Sequence, residues 1–265
     1  MLGLGVSVLY TGTVMLGLRA RSLRWGSSAA PAVGVERAWV PPGPDAIPRG
    51  AKGDSIRRGS QLFTQTPIYV PQYARARLSC ASCHANAGMQ PGAAPMAALA
   101  SAFPMYSARA GRMITLRDRI EQCFVRSENG NPLPPDSPEM QALVDYITWL
   151  SQPQPGNFPI EGRGFVALPA LHGDAARGRR VYAEQCAGCH GAEGGGDLPL
   201  FPPLWGADSF NDGAGMNQVD KMAAFVQHNM PQNRMGILSA QDAFDVAAFI
   251  HGMPRPRLNP DYARY

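Results

Sequence analysis

Apolar residues recur along this chain with helical spacing and almost nowhere with the alternation of a strand. Met140, Leu143, Val144, Ile147 and Leu150 form one stripe behind Ser137-Pro138-Glu139, and Phe244, Ala247, Ala248 and Ile250 form another behind Ser239 and Asp242. Each predicts an amphipathic helix with a hydroxyl cap, because serine can accept the free N–H groups of a first turn and proline is tolerated there. Two more helices are predicted upstream of these. Gly53-Asp54, Arg58-Gly59 and Leu62-Phe63 are echoed by Gly173-Asp174, Arg177-Gly178 and Val181-Tyr182. In each copy the aspartate is expected to cap the start, and the small residue to allow close packing on a second helix. A repeated pair of opening and closing helices predicts an all-α fold of two tandem modules. No stretch sustains the period-two alternation that a sheet would need.

Inside the repeat lie two short runs, Cys80-Ala81-Ser82-Cys83-His84 and Cys186-Ala187-Gly188-Cys189-His190, the first preceded by about a dozen extra residues. Two thiols two residues apart can bond both vinyl groups of a haem while the adjacent histidine reaches its iron. The runs therefore predict two covalently bound c-type haems, held by Cys80, Cys83, Cys186 and Cys189, with His84 and His190 as iron ligands. A zinc site would want four ligands per cluster, and a thioredoxin-like pair does not require the trailing histidine.

The donors expected on the opposite haem faces differ. Met230-Pro231 follows Cys186 by 44 residues, in a loop just ahead of the closing helix. Met-Pro followed by Leu238-Ser239 and that helix resembles the ligand loop of small class I cytochromes c, which favours Met230 over Met216, Met222, Met235, His228 and Lys221. The equivalent position of the first copy, 43 residues after Cys80, is Cys123. A buried free thiol is the plain alternative, and Met105 and Met113 are rival ligands. With Cys123 on one iron and Met230 on the other, thiolate lowers the first haem's potential and thioether raises the second's, so electrons run from haem 1 to haem 2. Arg109, Arg112, Arg117, Arg119 and Arg126 crowd around Cys123, beside Ser127, Asn129 and Asn131. Such a field favours thiolate and draws an anion, although on a helix several of these arginines must be ordinary solvated ones.

Composition refines the picture only slightly. Across 265 residues a 45% hydrophobic content with 25 prolines and 29 glycines suits loop-rich modules whose cores a haem completes. The net charge of +4 is modest, and Lys52 and Lys221 are the sole lysines. Neither a basic run nor aromatic interleaving argues for nucleic acid. Leu2 to Leu18 is apolar and uncharged, followed by Arg19, Arg21 and Arg24, which is the reverse of a secretory leader's charge order. Residues 1–28 are read as a signal peptide or membrane anchor, the chain's one expected membrane contact. Haem attachment of this type takes place outside the bacterial inner membrane, which places the protein in the periplasm. The expected domains are 46–151 around haem 1 and 170–256 around haem 2, joined by a Pro/Gly-rich linker at 152–169.

Phe103-Pro104-Met105-Tyr106 to Arg109, Leu116-Arg117-Asp118-Arg119-Ile120, Cys123-Phe124, Arg126-Ser127, Asn129-Gly130 and Pro138-Glu139-Met140 resemble diheme thiosulfate dehydrogenases. So do Asn229-Met230-Pro231 and Phe244-Asp245-Val246-Ala247-Ala248-Phe249-Ile250, and the resemblance spans roughly 45 to 256. It implies oxidation of two thiosulfate ions to tetrathionate, a reaction some members also run backwards. It further implies a transient sulfur adduct on Cys123, sulfonate oxygens held by Arg109, Arg119 and Ser127, and electrons leaving haem 2 for an external acceptor such as a small soluble cytochrome or a high-potential redox protein. Some relatives carry a ligand-exchanging lysine where this chain has Asn229, so no lysine-to-methionine switch is expected here. Two other classes compete with this reading: a non-catalytic diheme carrier resembling cytochromes c4, and a sulfur-oxidising subunit resembling SoxA.

Overall fold

The computed structural model describes residues 39–152, 164–197 and 200–265. The expected leader at 1–28 and most of the expected linker lie outside the described residues. The first half opens with α1 (Ala51–Thr64) and α2 (Thr66–Tyr69), followed by the short turns α3 (Cys80–Cys83) and α4 (Ala85–Gly88). A small hairpin, β1 (Met105–Ser107) and β2 (Arg112–Ile114), then leads into α5 (Leu116–Arg126) and α6 (Pro138–Leu150). The second half repeats the scheme with α7 (Ala175–Gln185), α8 (Ala187–His190), α9 (Val219–Asn229) and α10 (Ala240–His251). Among the described residues no helix is long and apolar enough to cross a membrane.

The expected caps of the closing helices are present: Ser137 accepts the N–H of Met140, and Ser239 that of Asp242. Asp174 caps α7 by accepting from Ala176 and Arg177. Asp54 does not cap α1. That helix begins earlier, after Gly50 at φ 83°, so Asp54 falls inside the first turn and pairs instead with Arg57. The hairpin was not expected either, because two three-residue strands offer too little alternation to read.

Opening and closing helices cross at glycine in both halves. A Cβ on Gly59 would sit 2.0 Å from the carbonyl oxygen of Ala142, and one on Gly178 would sit 1.9 Å from that of Asp245. Contact this close lets α1 lie on α6 and α7 on α10. Near each crossing a buried carboxylate meets a cation from the opening helix. Lys52 Nζ lies 2.7 Å from Asp145, and Arg177 Nε lies 2.6 Å from Asp245. One core gathers Leu62, Phe63, Phe124, Met140, Leu143 and Leu150; the other gathers Tyr182, Trp205, Phe225, Val246 and Phe249. Ala76, Leu78 and Ala93 of the first half are buried within the second core.

Candidate active site

Helix α5 is built to present one turn of side chains. Thr115 caps it in a reciprocal box with Asp118, whose carboxylate also takes a 2.7 Å bond from Arg112. Burial pushes the Asp118 carboxyl up, but bonds from Arg112 and Thr115 outweigh it and hold the group at about 2. At the other end Asn129 adopts φ 45°, and Gly130 donates back to the Phe124 carbonyl. Gly130 has to be glycine, since a Cβ there would lie 1.7 Å from the Tyr73 carbonyl oxygen. The Asn-Gly pair thus fixes the last turn, on which Cys123, Arg126 and Ser127 sit.

That turn opens on a cavity of about 220 Å³ lined by Ser107, Arg109, Arg119, Gln122, Cys123, Arg126, Ser127, Gly215 and Lys221. Arg109 reaches it from the turn of the hairpin, and Lys221 from the first turn of α9. Cys123, Arg109, Arg119 and Ser127, which were singled out in the sequence, are therefore brought together. Arg112 and Arg117 are not among them: Arg112 is held by Asp118, and Arg117 donates to Pro135 and Gln141. Gln122 and Lys221 were missed as members of this site. Gln122 follows Arg119 at helical i,i+3 spacing, a signal that could have found it. Nothing along the chain connects Lys221 to Cys123.

The cavity is rich in donors. Gln122 is 4% exposed; its Oε1 accepts from Arg119 at 3.2 Å, and its buried Nε2 has no partner. Arg126 is 5% exposed and donates through Nη2 to the Ala263 carbonyl at 2.9 Å, while its Nε is buried without a partner. Burial, helped by Arg109 and Arg119, brings Arg126 down to about 10. A cavity lined by arginines, a lysine and a serine hydroxyl suits an oxyanion.

The two Cys-x-x-Cys-His runs are folded as short turns, and all five cysteines are unpaired. Burial, with Glu128 and Cys123 nearby, pushes the Cys83 thiol up to about 12, and burial pushes Cys186 to about 11. Each motif histidine is anchored by Nδ1, His84 to the Ala94 carbonyl at 2.7 Å and His190 to that of Pro202 at 2.9 Å. Both Nε2 atoms are thereby left for iron, and burial holds both imidazoles below their ordinary value, in the neutral form a ligand needs. The residues present fit covalently attached haem.

Among the alternative donors, Met105 and Met113 are exposed on the hairpin, Met235 is exposed, and Met222 is core. Met230 is half-buried just after α9 and packs against the second core, as do Met216, Cys186 and Ala187. Lys221 lines the Cys123 cavity, away from its expected rivalry with Met230. Asn229 is buried and donates to the Gly92 carbonyl at 3.2 Å.

Comparison with known proteins bears on this arrangement. A family model described as SoxA/TsdA, cytochrome c domain, matches residues 67–155, and one described as cytochrome C oxidase, cbb3-type, subunit III, matches 173–250. The chain is 41% identical over 220 residues to the thiosulfate dehydrogenase of Allochromatium vinosum, covering 79% of this chain and 82% of the relative. The chain belongs to the thiosulfate dehydrogenase family. Another family member, from Stutzerimonas stutzeri, is 36% identical over 228 residues, covering 84% of this chain and 74% of the relative. The solved thiosulfate dehydrogenase (TsdBA) of Marichromatium purpuratum, in its as-isolated form, superposes with a TM-score of 0.78 at 39% identity. That match covers 84% of this chain and 50% of the solved one, so this chain spans about half of that protein's length. Like its relatives, this thiosulfate dehydrogenase family member is mostly helical, with two cytochrome c domains that bind c-type haem covalently.

Proposed function

We propose that the chain oxidises two thiosulfate ions to tetrathionate at Cys123, and that Cys123 and Met230 would each serve as a ligand to one of the two haem irons. The observation that carries this reading is one cavity lined by a thiol, by the cations Arg109, Arg119, Arg126 and Lys221, and by the hydroxyl of Ser127. Family membership supports the substrate. A c4-like carrier would have no use for such a cavity.

Arg109, Arg119 and Ser127 hold the sulfonate oxygens of a first thiosulfate and turn its outer sulfur towards Cys123 Sγ. A bond forms between the Cys123 thiolate and that sulfur, releasing two electrons. Haems held by Cys80, Cys83 and His84 and by Cys186, Cys189 and His190 would supply the oxidising capacity, one electron each, with an external acceptor such as a small soluble cytochrome or a high-potential redox protein as the electrons' destination. The outer sulfur of a second thiosulfate then attacks the adduct's outer sulfur. The new S–S bond completes tetrathionate, the bond to Cys123 breaks, and the thiolate is regenerated. Haem attachment puts this chemistry in the periplasm, after export.

The test is turnover of purified protein with thiosulfate and an artificial ferric acceptor. Tetrathionate should form, and Cys123→Gly should keep both haems while losing turnover. Undiminished turnover in that variant would overturn the role of Cys123, and two His/Met paramagnetic resonance signals would overturn the thiolate ligation.

A further inference from the structure

The cavity is not made by the first half of the chain alone. Lys221 and Gly215 line it from the second half, Lys221 in the first turn of α9 and Gly215 in the 3-10 turn Gly215–Asn217 just before it. Of the chain's two lysines, Lys52 is committed to Asp145, whereas Lys221 makes no ion pair among the described residues, not even with its neighbour Asp220. Arg109, Arg119 and Arg126 line the same cavity, so Lys221 adds a fourth cation to it.

The proposed chemistry asks for more than one sulfonate cradle. The second thiosulfate, a dianion, must approach the sulfonate-bearing adduct until its outer sulfur bonds to the adduct's, and the repulsion grows with the product of their charges. One cluster of arginines neutralises the first ion. The second needs its own cation, and it must leave as part of the product. The cavity of about 220 Å³ is lined from both halves of the chain, Arg109 and Arg119 on one side and Lys221 on the other. A lysine, with a compact charge on a flexible stem, suits an ion that arrives and departs better than a rigid bidentate arginine fork does.

We propose that Lys221 is a substrate-positioning residue supplied by the second half of the chain, holding the sulfonate of the second thiosulfate while Arg109, Arg119 and Ser127 hold the first. This rests on the reading of the cavity as the thiosulfate site. The second half of the chain then has two duties, receiving electrons and completing the substrate site.

The experiment uses the full-length holoprotein and compares Lys221→Gln with Lys221→Arg. Lys221 is exposed, so both variants should fold, to be checked by haem content and visible spectrum. In Lys221→Gln the KM for thiosulfate should rise about tenfold with kcat at saturation within about twofold, and Lys221→Arg should restore most of the loss. A single-turnover assay separates the two ions. Formation of the Cys123 adduct from one equivalent of thiosulfate, followed by mass spectrometry, should be unchanged in Lys221→Gln, and discharge of that adduct by further thiosulfate should be slowed. Wild-type KM and discharge in Lys221→Gln, alongside an inactive Cys123→Gly, would overturn the role of Lys221 alone. An active Cys123→Gly would overturn the reading of the cavity beneath it.

Discussion

Arg119 donates to Gln122 Oε1 at 3.2 Å, one helical turn away on α5, and so turns the Gln122 amide to present its nitrogen as the free group. Gln122→Leu keeps the bulk of the side chain but removes the acceptor that positions Arg119. We expect the KM for thiosulfate to rise about tenfold with haem content unchanged, since a hydrogen bond to a charged group is worth about that much. Steady-state kinetics with an artificial ferric acceptor measures it.

Gly59 and Gly178 mark matched helix crossings. Alanine at either would push its Cβ into a carbonyl oxygen 2.0 or 1.9 Å away, so the helices would have to separate. Gly59→Ala and Gly178→Ala should each cost about 1–3 kcal/mol, the range for forced overpacking. Thermal unfolding followed at 222 nm reads the loss, and a variant as stable as the parent would show that the crossings yield freely.

Acid should weaken the start of α5. The Asp118 carboxyl is held at about 2 against an ordinary 3.8, so its contribution is in place above the ordinary value and fades as the pH falls from there through about 2. Asp118→Asn should therefore cost about 1 kcal/mol at neutral pH, as losing a capping partner does, and progressively less than that below about pH 4. Urea unfolding of both proteins across that range would reveal a gap that closes; a gap independent of pH would contradict the assignment.

Much of this architecture could be read from the chain before any coordinates. Ser137, Ser239 and Asp174 cap the helices their local chemistry predicts, and the matched spacing from the haem runs pointed to Cys123 and Met230 as equivalent positions. Asp54 misled because the start of α1 is set by the turn at Gly50, which a capping rule does not see. The hairpin that carries Arg109 was hidden by strands too short to alternate. Lys221 was legible only as a rival for the second iron, because its place beside Cys123 depends on how the two halves pack, a contact between distant residues that no periodicity records.

The burial of Ala76, Leu78 and Ala93 in the second core bears on any attempt to transplant parts of this protein. A graft that replaced everything before Phe165 would strip that core of three small residues and leave Tyr182, Trp205 and Phe225 facing whatever the donor happened to supply. The two halves are therefore not interchangeable cartridges. Chimeras should keep residues 76–93 together with the second half, and a swap that ignores them should yield a protein that loses its second haem first.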